Sequence, residues 1–178
     1  MPGLDPVLPL FARLALALLF VGAVRHKLAD LRRFEGIVRD YRLAPASGSF
    51  AIARSLVVLE IGLVLGLVVP WTAPHASVLA AIVLAGYAVA IGVNLARGRN
   101  EIECGCGGPG ERLHLRLVAR NALLIAVGLV GASASTDRAL GALDGLTLAV
   151  GLASVALLWS AASHLAGVAD AALERGTS

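Results

Sequence analysis

Long apolar runs separated by short polar segments make up most of this chain, and they predict several membrane-spanning helices. A helix needs about 20 mostly apolar residues to cross a bilayer. Five runs approach that length, and they cover 7–24, 50–69, 76–95, 115–131 and 143–165. They are continuously apolar and rich in Leu, Ala and Gly, whereas the strands of a membrane barrel would alternate over about ten residues. The expected fold class is therefore all-α.

The segment after the first run has a different pattern. Leu31, Phe34, Val38 and Tyr41 recur at helical spacing, and charged residues occupy much of the rest of the turn. This predicts a short amphipathic helix on the membrane surface, with Asp30 as its N-cap. The expected architecture is an integral membrane protein with a four-helix transmembrane bundle core, a fifth C-terminal transmembrane helix and this interfacial helix after the first span.

No linker in the chain is long enough to separate a second, soluble domain. We therefore expect a four-helix transmembrane domain over 1–135, followed over 136–178 by the additional transmembrane helix and a short polar tail.

Composition and charge place the protein in a membrane and give it an orientation. Apolar residues make up 58% of the chain and charged residues 15%, against about 25% charged in a soluble domain. With five spans, 13 of the 15 Lys and Arg residues lie at one face, which the positive-inside rule makes cytoplasmic. The prediction is a multi-pass protein of the cytoplasmic (inner) membrane, with its N-terminus outside. The lipid bilayer accounts for the basic residues, so no nucleic-acid partner is expected.

Both cysteines of the chain, Cys104 and Cys106, lie in a glycine-rich loop between the third and fourth spans, on the predicted cytoplasmic side. Two extended residues reach about 7 Å, so a disulfide between them needs a bent backbone, which Gly105 permits. Such a small ring should be easily reduced, which favours a redox pair. A Cu(I) or Zn site, for which only His114 lies nearby, and a pair of inert thiols are the alternatives; no metal is assigned.

Glu60 is the second candidate for chemistry, because it lies about ten residues into the second span and hence near the bilayer midplane. Arg13 lies at a comparable depth in the first span, which suggests an ion pair between the two. That pair would either fix helix register or take part in proton or quinone chemistry.

Polar residues near the cysteine loop complete the candidate site. Arg120 would favour the thiolate form of a nearby cysteine, although it could instead extend toward lipid headgroups. Asn94 and Asn121 could form the floor of the loop or bond to backbone. His26, as a proton carrier or a surface histidine, and Lys27 complete the candidate cofactor-binding groups. The cofactor itself is unassigned, and a quinone is the candidate considered.

These residues, in this order, resemble the MauE family of methylamine-utilisation proteins, within the wider group of DoxX-like four-helix membrane proteins. The resemblance covers roughly 8–130, and Gly107 departs from it, since the family often has an aromatic residue there. The matching elements are Gly22 to Lys27, Asp30, Phe34, Tyr41-Arg-Leu-x-Pro45, Leu59-Glu60, Asn94-Leu-Ala-Arg-Gly-Arg99, Cys104-Gly-Cys106-Gly and Arg120-Asn121.

The resemblance implies a helper in thiol–disulfide chemistry, which assists maturation of a disulfide-rich enzyme subunit alongside a thioredoxin-like partner. Maturation of an exported subunit would need the thiols outside, whereas the charges place them inside, and we give the charges more weight. The leading hypothesis is a membrane thiol–disulfide relay that exchanges with a thioredoxin-like or other redox partner protein. The alternatives are a non-catalytic assembly subunit for redox or sulfur-handling proteins and a copper-handling membrane protein.

Overall fold

The computed structural model describes residues 3–105 and 111–176, with side chains in the last helix up to residue 161, Trp159 excepted. The described chain is helical, with two isolated β-bridges and no named strand. The helices are α1 Val7–Ala29, α2 Leu31–Asp40, α3 Ser49–Val68, α4 Ala73–Ala96, α5 Leu115–Ala132 and α6 Ala142–Gly176, and a 3₁₀ turn, Ala46–Gly48, precedes α3.

Four of these helices, α1, α3, α4 and α5, are long and apolar enough to cross a membrane, which confirms the predicted four-helix core. α6 confirms that the fifth run is helical. Its apolar described part, Ala142–Leu158, is shorter than the other four spans. That α6 crosses the membrane therefore stays a prediction.

The four spans form a closed ring in which α1 packs against α3 and α5, and α4 packs against α3 and α5. α6 lies outside this ring, against α1. Each helix buries a single stripe of side chains: in α3 the buried positions recur every three or four residues, as helical geometry requires. They are Ser49, Ala53, Val57, Glu60, Leu63 and Leu67. A carboxylate thus occupies a position in an otherwise mostly apolar stripe.

Close packing between α4 and α5 depends on glycine. A Cβ atom built on Gly128 would lie 3.1 Å from both the Ala81 Cβ and the Ser77 carbonyl oxygen, and one on Gly131 would lie 2.8 Å from Ser77 Oγ. Small residues at such positions let membrane helices approach each other closely. The two helices are therefore held at a distance that a larger side chain would change.

α2 forms the predicted amphipathic helix. The Asp30 side chain accepts a hydrogen bond from the Arg33 amide at 2.9 Å, as an N-cap does. Phe34 is buried against Ala53 and Val57 of α3. This packing holds α2 beside the end of the bundle at which α1 ends and α3 begins.

At the opposite end, Arg138 joins the N-terminus to the start of α6. Its guanidinium donates to Asp5 at 3.0 and 3.2 Å and to Asp144 at 2.9 and 3.0 Å. The hydrogen bond from Arg138 lowers the pKa of Asp5 below its ordinary value of 3.8, and the Val7 amide adds to this effect. Asp5 is therefore ionised, and the ion pair is present, at neutral pH.

Candidate functional site

The loop between α4 and α5 returns on itself around Cys104. The Cys104 amide donates to the Glu111 carbonyl at 2.8 Å, and the Leu113 amide donates to the Ile102 carbonyl at 3.0 Å. These bonds hold Cys104 in place between the two sides of the loop. Cys106, predicted to be its redox partner, and Gly107 lie outside the described residues.

Cys104 is buried, with 4% of its surface exposed, in an apolar cluster with Ile91, Leu113 and Leu117. The Arg120 Nη2 atom lies 4.0 Å from its sulfur. Arg120 also pairs with the Glu111 carboxylate, at 3.4 Å from Nη1 to the nearer oxygen. The structure thus brings together the thiol and the arginine that the sequence predicted beside it, and adds a carboxylate that the sequence analysis did not single out.

α2 holds the loop from the other side. Tyr41 Oη donates to the Cys104 carbonyl at 3.1 Å, and Arg33 makes two hydrogen bonds to Glu103, at 2.7 and 3.1 Å. The Glu103 carboxylate in turn raises the pKa of Arg33 above its ordinary value. The position and backbone conformation of the loop are therefore linked to α2.

Gly105, between the two cysteines, lies in the left-handed region with φ of +73°. A Cβ atom there would lie 3.1 Å from Ile37 Cγ2 and 3.4 Å from Phe34 Cε2, both on α2. Glycine is the residue that adopts this conformation without strain. The backbone is thus bent at the position where a Cys-x-Cys disulfide requires a bend.

A buried polar cluster lies inside the bundle, formed by Lys27 of α1, Glu60 of α3 and Tyr87 of α4. The Lys27 ammonium donates to Glu60 Oε1, and Tyr87 Oη donates to the same oxygen at 2.7 Å. Lys27 is 2% exposed and Glu60 fully buried. The ammonium also lies 4.8 Å from the ring centre of Phe34 and 5.1 Å from that of Tyr87, within range of cation–π attraction.

The sequence suggested an ion pair between Arg13 and Glu60, and this prediction is wrong. Arg13 Nε donates instead to the Gly131 carbonyl at 2.7 Å, near the end of α5. α1 and α3 run antiparallel, and Lys27 lies opposite Glu60. Arg13 is 14 residues earlier in α1, which is about 21 Å along the helix axis, so it lies at the other end of the bundle.

The remaining candidates lie at the end of the bundle that holds Lys27 and the cysteine loop. The Asn94 and Asn121 amides donate to backbone carbonyls one turn earlier in their own helices, at 3.1 and 2.9 Å. Asn94 also accepts a hydrogen bond from Arg99 at 3.0 Å, which ties down the end of α4. His26 is exposed, whereas its neighbour in α1, Lys27, is buried.

Two features of the polar cluster were missed at the sequence level: the pairing of Lys27 with Glu60 and the part played by Tyr87. The signal for Lys27 was its spacing of 7 and 11 residues from Phe20 and Leu16, which places all three on the buried face of α1. That signal was lost because the first span was predicted to end at residue 24, whereas α1 continues to Ala29. For Tyr87 the signal was a hydroxyl inside an apolar span.

A cavity of about 140 Å³ connects the polar cluster to the cysteine. Its lining is mostly apolar; the polar side chains among the lining residues are Lys27, Tyr41 and Tyr87, and Cys104 forms part of its wall. The other lining residues are Phe34, Ile37, Val38, Leu43, Ala44, Ile52, Leu56, Ala90 and Ile91. The cavity therefore links Cys104 to Lys27, whose ammonium is paired with Glu60.

Comparison with known proteins identifies the family of this chain. The family model described as methylamine utilisation protein MauE matches residues 5–134. The chain is 37% identical to the methylamine utilization protein MauE of Paracoccus denitrificans, over 94% of this chain and 92% of that protein. It is 38% identical to the protein of the same name from Paracoccus versutus, over 92% and 90% of the two chains. No solved structure matches. The chain therefore belongs to the MauE family.

Proposed function

We propose that this protein is a membrane-embedded helper in methylamine utilisation that acts through thiol–disulfide exchange at Cys104 and Cys106. The observation that carries the proposal is the Cys104 sulfur held 4.0 Å from the Arg120 guanidinium, in a loop fixed on both sides. The names of the relatives support a role in methylamine utilisation.

The chemistry proposed is a two-step exchange. A thiolate of a reduced, thioredoxin-like partner attacks the Cys104–Cys106 disulfide, and a mixed disulfide forms as one cysteine leaves as a thiolate. The partner's second thiolate then attacks the mixed disulfide, which releases the partner oxidised and this chain reduced. Arg120 lowers the cost of the charged sulfur beside it, because a cation favours thiolate over thiol.

A trapping experiment tests the exchange. A partner variant that lacks its second thiol can attack the Cys104–Cys106 disulfide but cannot resolve the mixed disulfide, so a covalent complex should accumulate and disappear on reduction. Cys104→Ser/Cys106→Ser is the control for specificity and must still insert and remain helical. The proposal fails if Cys106→Ser leaves both growth on methylamine and the partner's redox state unchanged.

The orientation belongs to the proposal as well: the inner membrane, with the cysteine loop facing the cytoplasm. Two exposed reporters at opposite ends of the bundle test it, Glu101→Cys in the loop and Trp71→Cys between α3 and α4, each without the native cysteines. Trp71 is 79% exposed and the Glu101 side chain 81%. In intact cells a membrane-impermeant thiol reagent should label only position 71. Labelling of position 101 instead would reverse the orientation.

A second candidate function is an assembly subunit that holds soluble redox proteins at the membrane. It is favoured by the outer face of α2, where Arg32 and Arg39 are exposed. The two candidates differ in one measurement. Partners of an assembly subunit co-purify with Cys104→Ser/Cys106→Ser as well as with the unmodified protein, whereas a relay loses its covalent complex.

A further inference from the structure

The cavity beside Cys104 has the size of a single six-membered ring. Its volume is about 140 Å³. A cavity of about 150 Å³ lined by aliphatic and aromatic side chains takes up benzene in another protein. The lining here is of the same kind and includes Ile52 and Leu56 of α3 and Phe34 of α2. A flat apolar ring therefore fits.

The cavity is reachable from outside the bundle. Leu43, which lines it, is 49% exposed, and the neighbouring lining residue Ala44 is exposed too. Both lie between α2 and α3, at the end of the bundle where α1 ends and α3 begins. A ligand with an apolar tail could thus hold its ring inside and leave its tail among lipids.

The polar groups of the cavity select among ring ligands. The Lys27 ammonium has three N–H donors, and its contacts with Glu60 and Tyr87 use two of them in the described part of the chain. The fully buried Glu60 has a second carboxylate oxygen, Oε2, that meets no hydrogen-bond donor among the described residues. The Lys27 donor therefore lies in the cavity wall with the Glu60 carboxylate behind it, and Cys104 is part of the same lining.

We propose that this cavity binds the ring of a lipid-soluble quinone, which reoxidises the cysteine pair. The inference rests on the proposed function, because it supplies the electron acceptor for the exchange. Lys27 would hydrogen-bond a quinone carbonyl, and the apolar walls would hold the ring faces. An acyl chain alone would use neither the ammonium nor the thiol.

The reaction balances in electrons and protons. The Cys104 and Cys106 thiols lose two electrons and two protons as the sulfur–sulfur bond forms. The quinone gains both, and its two carbonyl oxygens become the hydroxyls of a quinol. Lys27 and Tyr87 line the cavity and are hydrogen-bonded to Glu60, which lies behind them, so the three residues provide a proton path that does not depend on open water.

Binding is tested separately from redox chemistry. The protein is placed in nanodiscs of phosphatidylethanolamine and phosphatidylglycerol and photolabelled with an azido-benzoquinone that carries a short isoprenoid tail. We expect label on α2 and α3 peptides, competed away by the same quinone without the azide, and present also in Cys104→Ser/Cys106→Ser. Label that the competitor does not displace marks reaction from the lipid phase and overturns the site.

A matched pair of variants locates the site. Leu56→Trp places an indole in the cavity and should lower competed labelling at least about ten-fold, a loss of about 1.4 kcal/mol in binding. Leu65→Trp makes the same change on the same helix at a position 64% exposed to the surroundings, and should leave labelling unchanged. Ile52→Trp is the second cavity variant, in case Leu56→Trp does not insert. Equal labelling of the cavity variants and Leu65→Trp refutes the assignment.

Single-turnover chemistry separates this inference from the proposed function. Reduced protein mixed anaerobically with the benzoquinone should yield one quinol per chain and lose two thiols, and Leu56→Trp should slow this while Leu65→Trp does not. Competed label without thiol oxidation keeps the quinone site and removes the relay. A trapped partner complex without competed label keeps the relay and removes the quinone site.

Discussion

Replacing Lys27 by methionine tests the buried ion pair, the most unusual feature of the bundle. The variant keeps much of the side-chain length but leaves the fully buried Glu60 carboxylate with only the Tyr87 hydroxyl as a donor in the described chain. Removing one partner of a buried ion pair costs about 3–5 kcal/mol, because the other charge stays buried without compensation. We expect a loss of that order in the free energy of unfolding.

The same reasoning predicts a rescue. Lys27→Met/Glu60→Leu replaces the pair by apolar side chains, a change that is often neutral or stabilising in buried pairs. The double variant should therefore regain most of the stability that Lys27→Met loses. Tyr87→Phe removes one hydrogen bond to a charged group and should cost about 1.5–3 kcal/mol.

Denaturation of the purified protein in mixed micelles, followed by helical circular dichroism, measures these differences. A double-mutant cycle then gives the coupling energy of each pair. Lys27 and Glu60 should be strongly coupled, whereas Arg13 and Glu60, at opposite ends of the bundle, should be close to additive. His26→Met, the exposed neighbour, should change stability by less than about 0.5 kcal/mol. A double variant as unstable as Lys27→Met alone would refute the reasoning.

Two further predictions concern the packing of the bundle. Gly128→Leu should destabilise the protein by about 1–3 kcal/mol, because a Cβ atom there already lies 3.1 Å from α4. Gly62→Leu is the control and should be tolerated, because a Cβ atom at that position meets no atom within 4 Å. The denaturation midpoints of the two variants measure the difference. The ion pair between Arg138 and Asp5 should stay intact from neutral pH down to about pH 4 and then weaken as the pH falls through the lowered pKa of Asp5. A carboxyl group whose pKa is lowered in the folded state stabilises that state only while it is ionised. Hydrogen exchange of the Thr136 amide, which donates to the carbonyl of Leu4 at 2.9 Å beside Asp5, follows this loss. Equal protection of this amide in the unmodified protein and in Arg138→Gln at pH 6 would contradict it.

Much of the fold could be predicted because the bilayer imposes one simple rule. Unpaired backbone groups are costly in lipid, so long apolar runs become helices, and all four core spans follow that rule. α2 was predictable for a related reason, since its apolar residues recur at a helical period and Asp30 marks its start. The fifth run, 143–165, was predicted by the same rule, and the structure confirms that it is helical, within α6, which packs against α1.

The site was harder to predict, because it depends on how helices are paired. The sequence indicated that Glu60 needs a partner but not which helix end lies opposite it, and Arg13 and Lys27 were both available on α1. The partner of Glu60 depends on the length of α1, because Lys27 lies in an extra turn that continues beyond the apolar run. The cavity between Cys104 and Tyr87 is formed by residues of four helices and the loops, so no local sequence pattern predicts it.

The contact between α2 and the cysteine loop has a thermodynamic consequence. Gly105, between the two cysteines, lies against Ile37 and Phe34, and Tyr41 donates a hydrogen bond to the Cys104 carbonyl. A protein that bound the exposed face of α2 and shifted it would alter the backbone bend that the disulfide needs. Linkage is reciprocal, so the factor by which such a partner changes the equilibrium between thiols and disulfide equals the factor by which oxidation changes the partner's affinity. A docking protein would thus sense the oxidation state without contacting either sulfur.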